Sequence, residues 1–280
     1  MERGLVAGFG GPALAARVAA TASRHGLARI DGLRDVHLFA GRGLSTDLHA
    51  RDRIIVGERF ASPGCDRSSS SDWGSWLSFA APSPGQLQVV RAPLTGLPLY
   101  WARGLYGLFL FSHLALALDA GLRPQLDLDF LRHQLAYQNL RTDRTGIAGV
   151  HELLPGTRLC AGDGDVRLRC DWAPWVFAAQ ARARASAARE VEHMVDACVS
   201  AWVASRPATG VELSGGLDSS IVAASLAAAG ADISAVNVAT ASPDGDERRY
   251  ARAVAKHLDI DLTETLYDAR NCDLTQPPAF

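Results

Sequence analysis

The 280-residue chain has almost no lysine. Lys256 is the only one, and the rest of its positive charge is arginine. With alanine so abundant, this reads as genomic base composition rather than chemical need. Nor is there an excess of basic residues: the formal net charge is −2. Surfaces that coat nucleic acid need clustered positive charge, so that class of partner is set aside. Cysteine is sparse and odd in number. Cys65, Cys160, Cys170, Cys198 and Cys272 lie far apart, and none has the C-x₂₋₄-C spacing of a zinc site. With no secretory signal at the N-terminus, they read as reduced thiols and the chain as cytoplasmic. Long apolar runs are also lacking. The longest, residues 104–118, is broken by Ser112 and His113 and falls short of the ~20 residues that span a bilayer.

What is present describes a globular protein. Hydrophobic residues make up 48% and charged residues 21%, a balance that can bury a core, and the length suffices for two domains. The pattern predicts a helix over residues 13–25 and a strand over 52–58. Residues 62–84, with four serines in a row, have loop composition. Strands are expected over 86–90, 99–102 and 105–111. Ser112 is placed as the N-cap of a helix that Gly121 closes. A second helix over 124–138 is entered at Asp127, and residues 157–170 form a hairpin. The domain boundary falls near residues 175–182, giving domains 1–175 and 183–280. The second opens with a helix over 187–203. Strand 210–213, helix 219–229 and strand 233–239 follow, which is a βαβ unit and hence a parallel sheet.

The informative segment is Leu213-Ser214-Gly215-Gly216-Leu217-Asp218-Ser219-Ser220. A strand ends at Leu213 and the glycines turn the chain, letting backbone N–H groups approach a ligand. Asp218, Ser219 and Ser220 then open a helix, where free amides and the helix dipole favour an anion. The segment is neither G-x₄-G-K-[ST] nor G-x-G-x-x-G. A Gly-Gly turn alone is better explained by a tight βα connection with no ligand. The whole motif, between an apolar strand and an apolar helix, reads as a nucleotide phosphate site.

SGGLDSS resembles the PP-loop of ATP pyrophosphatases and, in this form, the synthetase domain of asparagine synthetases. Asp246-Glu247, followed by Tyr250-Ala251, Val254-Ala255 and Leu258, is similar to that family's D-E-x-x-Y-A-x-x-V-A-x-x-L helix. Arg91, Gly96, Pro98, Leu99 and Tyr100 resemble its R-D-x-x-G-x-x-P-L-Y segment. The segment from Ile147 to Leu159, with Leu154-Pro155-Gly156, is similar to its I-x-x-L-x-P-G. The resemblance runs from about Gln86 to Glu264. It implies an α+β N-terminal Ntn-hydrolase-like αββα sandwich of the glutamine amidotransferase type, then an incomplete α/β PP-loop domain with a parallel sheet. The implied chemistry is ATP cleavage to AMP and pyrophosphate, activating a carboxylate for attack by an amine. Carried over position by position, Ser214, Gly215, Gly216, Leu217, Asp218, Ser219 and Ser220 hold the ATP phosphates. Leu213 and Val238 meet the adenine, and Asp218 also holds Mg²⁺. Asp246 and Glu247 lie near the nucleotide, or else only complement a helix dipole.

The departures matter as much. Glutamine hydrolysis in that family uses a cysteine as residue one, whereas here Glu2, Arg3 and Gly4 follow Met1. Cys65 sits in a Ser/Gly tract. Ala92 replaces the family's aspartate and His113 a common glutamate. No glutaminase activity is expected, so the amine must come from the substrate or from free ammonia. Lasso-peptide cyclases, which close a macrolactam on a precursor peptide, fit the first case. A precursor peptide and a leader peptidase are then the expected partners. A β-lactam synthetase-like enzyme, an ammonia-dependent asparagine synthetase and a non-catalytic remnant or scaffold stay open. The family's later acidic segment and pyrophosphate-binding lysine have no counterpart after Glu264, which implies a fragment of a longer chain or a remnant.

Overall fold

The computed structural model describes residues 3–50, 52–61, 72–94, 96–104, 106–162, 164–178, 183–240 and 246–267. Cys65 and Cys272 lie outside them. The chain divides into two compact units, Met1–Ala179 and Gln180–Phe280.

The first unit runs β1 (Leu5–Gly10), α1 (Pro12–Arg24), β2 (Ala28–Ile30), β3 (Val36–Ala40), β4 (Thr46–Ala50), β5 (Arg53–Phe60), β6 (Trp73–Ala80) and β7 (Gln86–Arg91). It continues with β8 (Tyr100–Gly104), β9 (Gly107–Phe111), α2 (Leu114–Asp119), α3 (Leu128–Ala136), β10 (Val150–Glu152), β11 (Thr157–Gly162), β12 (Asp165–Cys170) and α4 (Trp175–Ala178). The strands form two six-stranded sheets, ordered β10-β8-β9-β1-β3-β2 and β12-β11-β7-β6-β5-β4, with antiparallel pairing throughout. Alternation decides which residues meet. Leu5, Ala7, Leu38 and Leu110 face Ile54, Val56, Leu77, Phe79, Leu87 and Leu159 in one core between the sheets. The intervening Val6, Phe39 and Phe111 face outward, where Leu14, Val18 and Ala22 of α1 and Leu116 of α2 cover them. Each such side chain, fully buried, contributes about 1.5–3 kcal/mol before the entropy of ordering is subtracted.

Helices therefore cap the first sheet. On the outer face of the second, Ile55, Trp76, Val90 and Ala92 form a small cluster of their own, without a helical residue. Among the described residues the expected four-layer αββα arrangement is thus present as three layers, α-β-β.

Two sequence expectations need correction. The tract 62–84 is not all loop, because Trp73–Ala80 is the long strand β6. Its serines and glycine mask an alternation in which Leu77 and Phe79 enter the inter-sheet core. Ser112 is not an N-cap. The α2 cap position is His113, and the buried Ser112 hydroxyl instead accepts the Leu5 N–H at 2.8 Å, tying β9 to the start of β1. Gly121 does follow α2 with φ +92°, and Asp127 does cap α3 by accepting the Phe130 N–H at 2.9 Å.

The second unit runs α5 (Arg184–Ser205), β13 (Ala208–Glu212), α6 (Leu217–Ala228), β14 (Asp232–Thr240), α7 (Arg248–Leu258) and β15 (Asp261–Tyr267). Its three strands pair in parallel in the order β13-β14-β15. Parallel neighbours require crossovers, which α6 and α7 supply. Val211, Leu213, Ile233 and Ala235 pack on one face against Ala223 and Leu226 of α6, Ala251 and Ala255 of α7, and Val203 of α5. On the opposite face of β14, Ser234 and Val238 are exposed and Val236 is half-buried.

Candidate functional site

The SGGLDSS segment joins β13 to α6, at the C-terminal end of a parallel strand. This is where open α/β sheets place their ligands. Leu213 leaves β13 still paired, its N–H donating to the Val236 carbonyl at 2.8 Å. Gly215 then takes φ +83°, a left-handed conformation that glycine adopts without strain. Its Cα also lies hard against α7. A Cβ there would come 2.5 Å from the Ala251 nitrogen and 2.5 Å from the Tyr250 Cβ. The loop is thereby seated on the first turns of two helices. Asp246 and Glu247, which immediately precede α7, lie within a few residues of that seat.

Gly216 is the N-cap of α6. The first i→i−4 bond of the helix is Ser220 N–H to Gly216 O, at 3.2 Å. The helical pattern therefore gives the Leu217, Asp218 and Ser219 amides no acceptor of their own. The hydroxyls cluster around them. Ser214 Oγ lies 2.9 Å from Ser219 Oγ and accepts the Gly216 N–H at 3.2 Å. Ser220 Oγ donates to Gly216 O at 2.6 Å. Each hydroxyl rotates about its Cβ–Oγ bond and can turn its proton to a phosphate oxygen. Asp218 stands exposed in the same turn. A donor-rich helix start with small side chains fits the triphosphate of a nucleotide.

Of the residues expected at the adenine, Val238 is 46% exposed. Leu213 is not available as a side chain. It is fully buried in the helix-side core, because alternation at the end of β13 turns it beneath α6. Its carbonyl is engaged too, accepting from Asn237 Nδ2 at 2.8 Å.

That contact shows a residue the sequence reading passed over. Asn237 is buried in β14 and pins the point where β13 gives way to the loop. The available signal was one amide in the apolar run Ala235–Ala239. Asn237→Ala leaves the Leu213 carbonyl unpaired in the core, at a cost of about 1–3 kcal/mol. Urea unfolding of wild type and variant checks this, and equal midpoints would remove Asn237 from the account.

Ahead of α7, Asp246 accepts from Arg248 Nε at 2.8 Å and from Arg248 Nη2 at 2.6 Å. Glu247 is the cap residue but makes no side-chain cap bond. The Arg248 side-chain hydrogen bonds, then the Arg248 backbone N–H, hold the Asp246 carboxyl at about 2, below its usual 3.8. A depressed folded-state value means that the stabilisation is present above the unfolded value and is lost as pH falls from about 4 through about 2. NMR titration should place the Asp246 midpoint near 2 and, in Arg248→Ala, well above it. A midpoint unmoved by that substitution would contradict the pairing. Arg252 grips Glu264 of β15 through two bonds, Nε to Oε1 at 2.6 Å and Nη2 to Oε2 at 2.7 Å, fixing α7 to the sheet edge.

Among the described residues no three His, Cys, Asp or Glu side chains gather as a metal cage. Mg²⁺ that travels with a nucleotide needs only one or two protein carboxylates beside the phosphates, and Asp218 can supply one.

Residues 190–275 match the asparagine synthase family, a span that contains the loop, α6, β14, α7 and β15. The match supports an ATP-dependent, amide-forming ligase. No curated protein matches the chain. Among solved structures, the glutamine phosphoribosylpyrophosphate amidotransferase from B. subtilis, complexed with ADP and GMP, is similar at 10% identity. The likeness covers 98% of this chain and 69% of that one with a TM-score of 0.34, which is too slight to place the fold.

Proposed function

We propose that the second unit is the ATP-activating part of an AMP-forming amide ligase, and that its substrate is a peptide whose own amine closes a macrolactam. The observation that carries the reading is the Ser214–Ser220 turn. It sets free amides, mobile hydroxyls and one carboxylate at a helix start beyond a parallel strand.

In the proposed reaction a substrate carboxylate oxygen attacks the α-phosphorus of ATP. The bond to pyrophosphate breaks and an acyl-adenylate forms. An amine then attacks the acyl carbon, AMP departs, and the amine gives up its proton. The Leu217, Asp218 and Ser219 amides and the Ser214, Ser219 and Ser220 hydroxyls bind the phosphates. Gly215 and Gly216 keep the approach clear of side chains. Asp218 would hold Mg²⁺, which when bound offsets the charge on the departing pyrophosphate.

The first unit departs from the amidotransferase pattern, which favours an amine that does not come from glutamine. Where the amidotransferase pattern has an aspartate, Ala92 is fully buried beside Ile55 and Trp76. A carboxylate in that place would be desolvated and would need a cationic or hydrogen-bonding partner, which the alanine does not. The test is ATP–pyrophosphate exchange in the presence of candidate peptides carrying an Asp or Glu side chain. Asp218→Asn is expected to abolish exchange with circular dichroism unchanged. Exchange at the wild-type rate would remove Asp218 from the site.

A further inference from the structure

The outer face of the second sheet carries a cleft of about 300 Å³ that the ligase chemistry does not use. Strand register builds it. Ile55, Ser78, Val90, Arg158 and Arg169 are successive cross-strand partners and lie in one row over β5, β6, β7, β11 and β12. One step along, Arg53, Ala80 and Gln88 form the adjoining row. The floor is apolar, from Ile55, Val90 and Trp76, and among the described residues no helical residue lines it.

The walls are basic. Arg53, Arg59, Arg158 and Arg169 line the cleft against Asp72 and Asp171. Asp72 pairs with Arg59, while Asp171 is shared by Arg158 at 2.6 Å and Arg169 at 3.4 Å. Arg53 has no ion pair among the described residues. Among the described residues Arg158 and Arg169 share one carboxylate and Arg53 has none, which leaves an excess of positive charge over an apolar floor. A further donor lies in the same wall: Trp76, 5% exposed, has an indole N–H with no acceptor among the described residues.

We propose that this cleft binds an acidic peptide segment. One carboxylate would meet Arg53 and a second Arg169, and the apolar side chain between them on the same face would rest on Ile55 and Val90. An inorganic anion could use the guanidiniums but would leave the floor wet. A neutral apolar peptide could cover the floor but would leave the charge excess unanswered. An extended segment with acidic and apolar residues two positions apart, and so on the same face, satisfies both. The inference stands on the first unit alone and is tested without ATP or Mg²⁺, so its outcome is separate from that of the ligase reading.

The probes are the acetylated, amidated peptide Glu-Ser-Leu-Ser-Glu, which carries both acids and the leucine on one face when extended, its Gln-Ser-Leu-Ser-Gln counterpart, and inorganic phosphate. Each is titrated into the full chain at low ionic strength by calorimetry, with tryptophan fluorescence alongside. The acidic peptide is expected to bind, with affinity falling as salt is added. The neutral peptide and phosphate should bind at least about tenfold more weakly. Arg53→Gln and Arg169→Gln should each lose about tenfold, the loss expected for one charge-assisted contact. Arg169 is largely exposed, and unchanged circular dichroism in both variants separates lost binding from lost fold. Equal binding of the neutral peptide or of phosphate, full affinity in both variants, or no binding at all would overturn the proposal.

Discussion

Gly215→Ala is expected to destabilise the second unit by about 2–5 kcal/mol and to remove nucleotide binding with it. Two independent penalties meet at this position. A left-handed backbone at φ +83° costs a non-glycine residue about 1–3 kcal/mol. The added methyl would also stand 2.5 Å from the Ala251 nitrogen. That is backbone at the start of α7, which cannot step aside as a flexible side chain would, and overpacking of this kind costs about 1–3 kcal/mol. Gly216→Ala is the control. Gly216 has φ −71°, and a Cβ there meets only the Ser214 hydroxyl, at 3.3 Å. Urea unfolding should separate the two variants clearly. Equal midpoints would mean that the loop is not seated on α7.

The second large effect lies in the first unit. Glu152→Ala should cost about 3–5 kcal/mol, because it strands a buried guanidinium. The Arg91 side chain is 4% exposed. Its Nη1 donates to Glu152 Oε1 at 2.7 Å and to the Leu153 carbonyl at 2.7 Å. Arg141 reaches the same carboxylate from the more exposed side. The pair joins the end of β7 in one sheet to β10 in the other, across the sandwich. Replacing both partners, as Arg91→Met with Glu152→Leu, should recover much of the loss, since the penalty comes from the unpaired charge. Tyr100 reports on the same site. Burial first and the Glu152 charge second raise its phenol above 10.0, so Glu152→Gln should lower the Tyr100 titration midpoint. Wild-type stability in Glu152→Ala would show that the pair is dispensable.

How much of this was legible depends on whether the signal was local. The βαβ unit was readable because apolar strands, a Gly-Gly turn and an alanine-rich helix follow one another within residues 210–239. Helix α1 was readable from its own periodicity, and α3 from the capping aspartate. β6 was not, because Gly74, Ser75 and Ser78 look like loop until the Trp76, Leu77 and Phe79 burial is seen. Ser112 has the composition of a cap but serves a strand 107 residues away. The resemblance located Arg91 without giving its reason, since Glu152 lies 61 residues on. The arginine cleft draws on five strands, and no window of sequence shows that Arg53 and Arg169 line one cleft. Within the candidate site the Ser214–Ser220 turn was readable as a motif. Asn237, the Asp246–Arg248 pairing and the burial of Leu213 depend on packing between elements.

The most direct test of the central claim, that residues 214–220 receive the phosphates of ATP, is an amide titration. The ¹⁵N-labelled protein is followed by NMR as ATP and Mg²⁺ are added. The account predicts the largest and saturable shifts at Gly215, Gly216, Leu217, Asp218 and Ser219, with Val238 responding to ATP but not to pyrophosphate. Saturable binding that leaves the loop amides unmoved, or no binding at all, would contradict it.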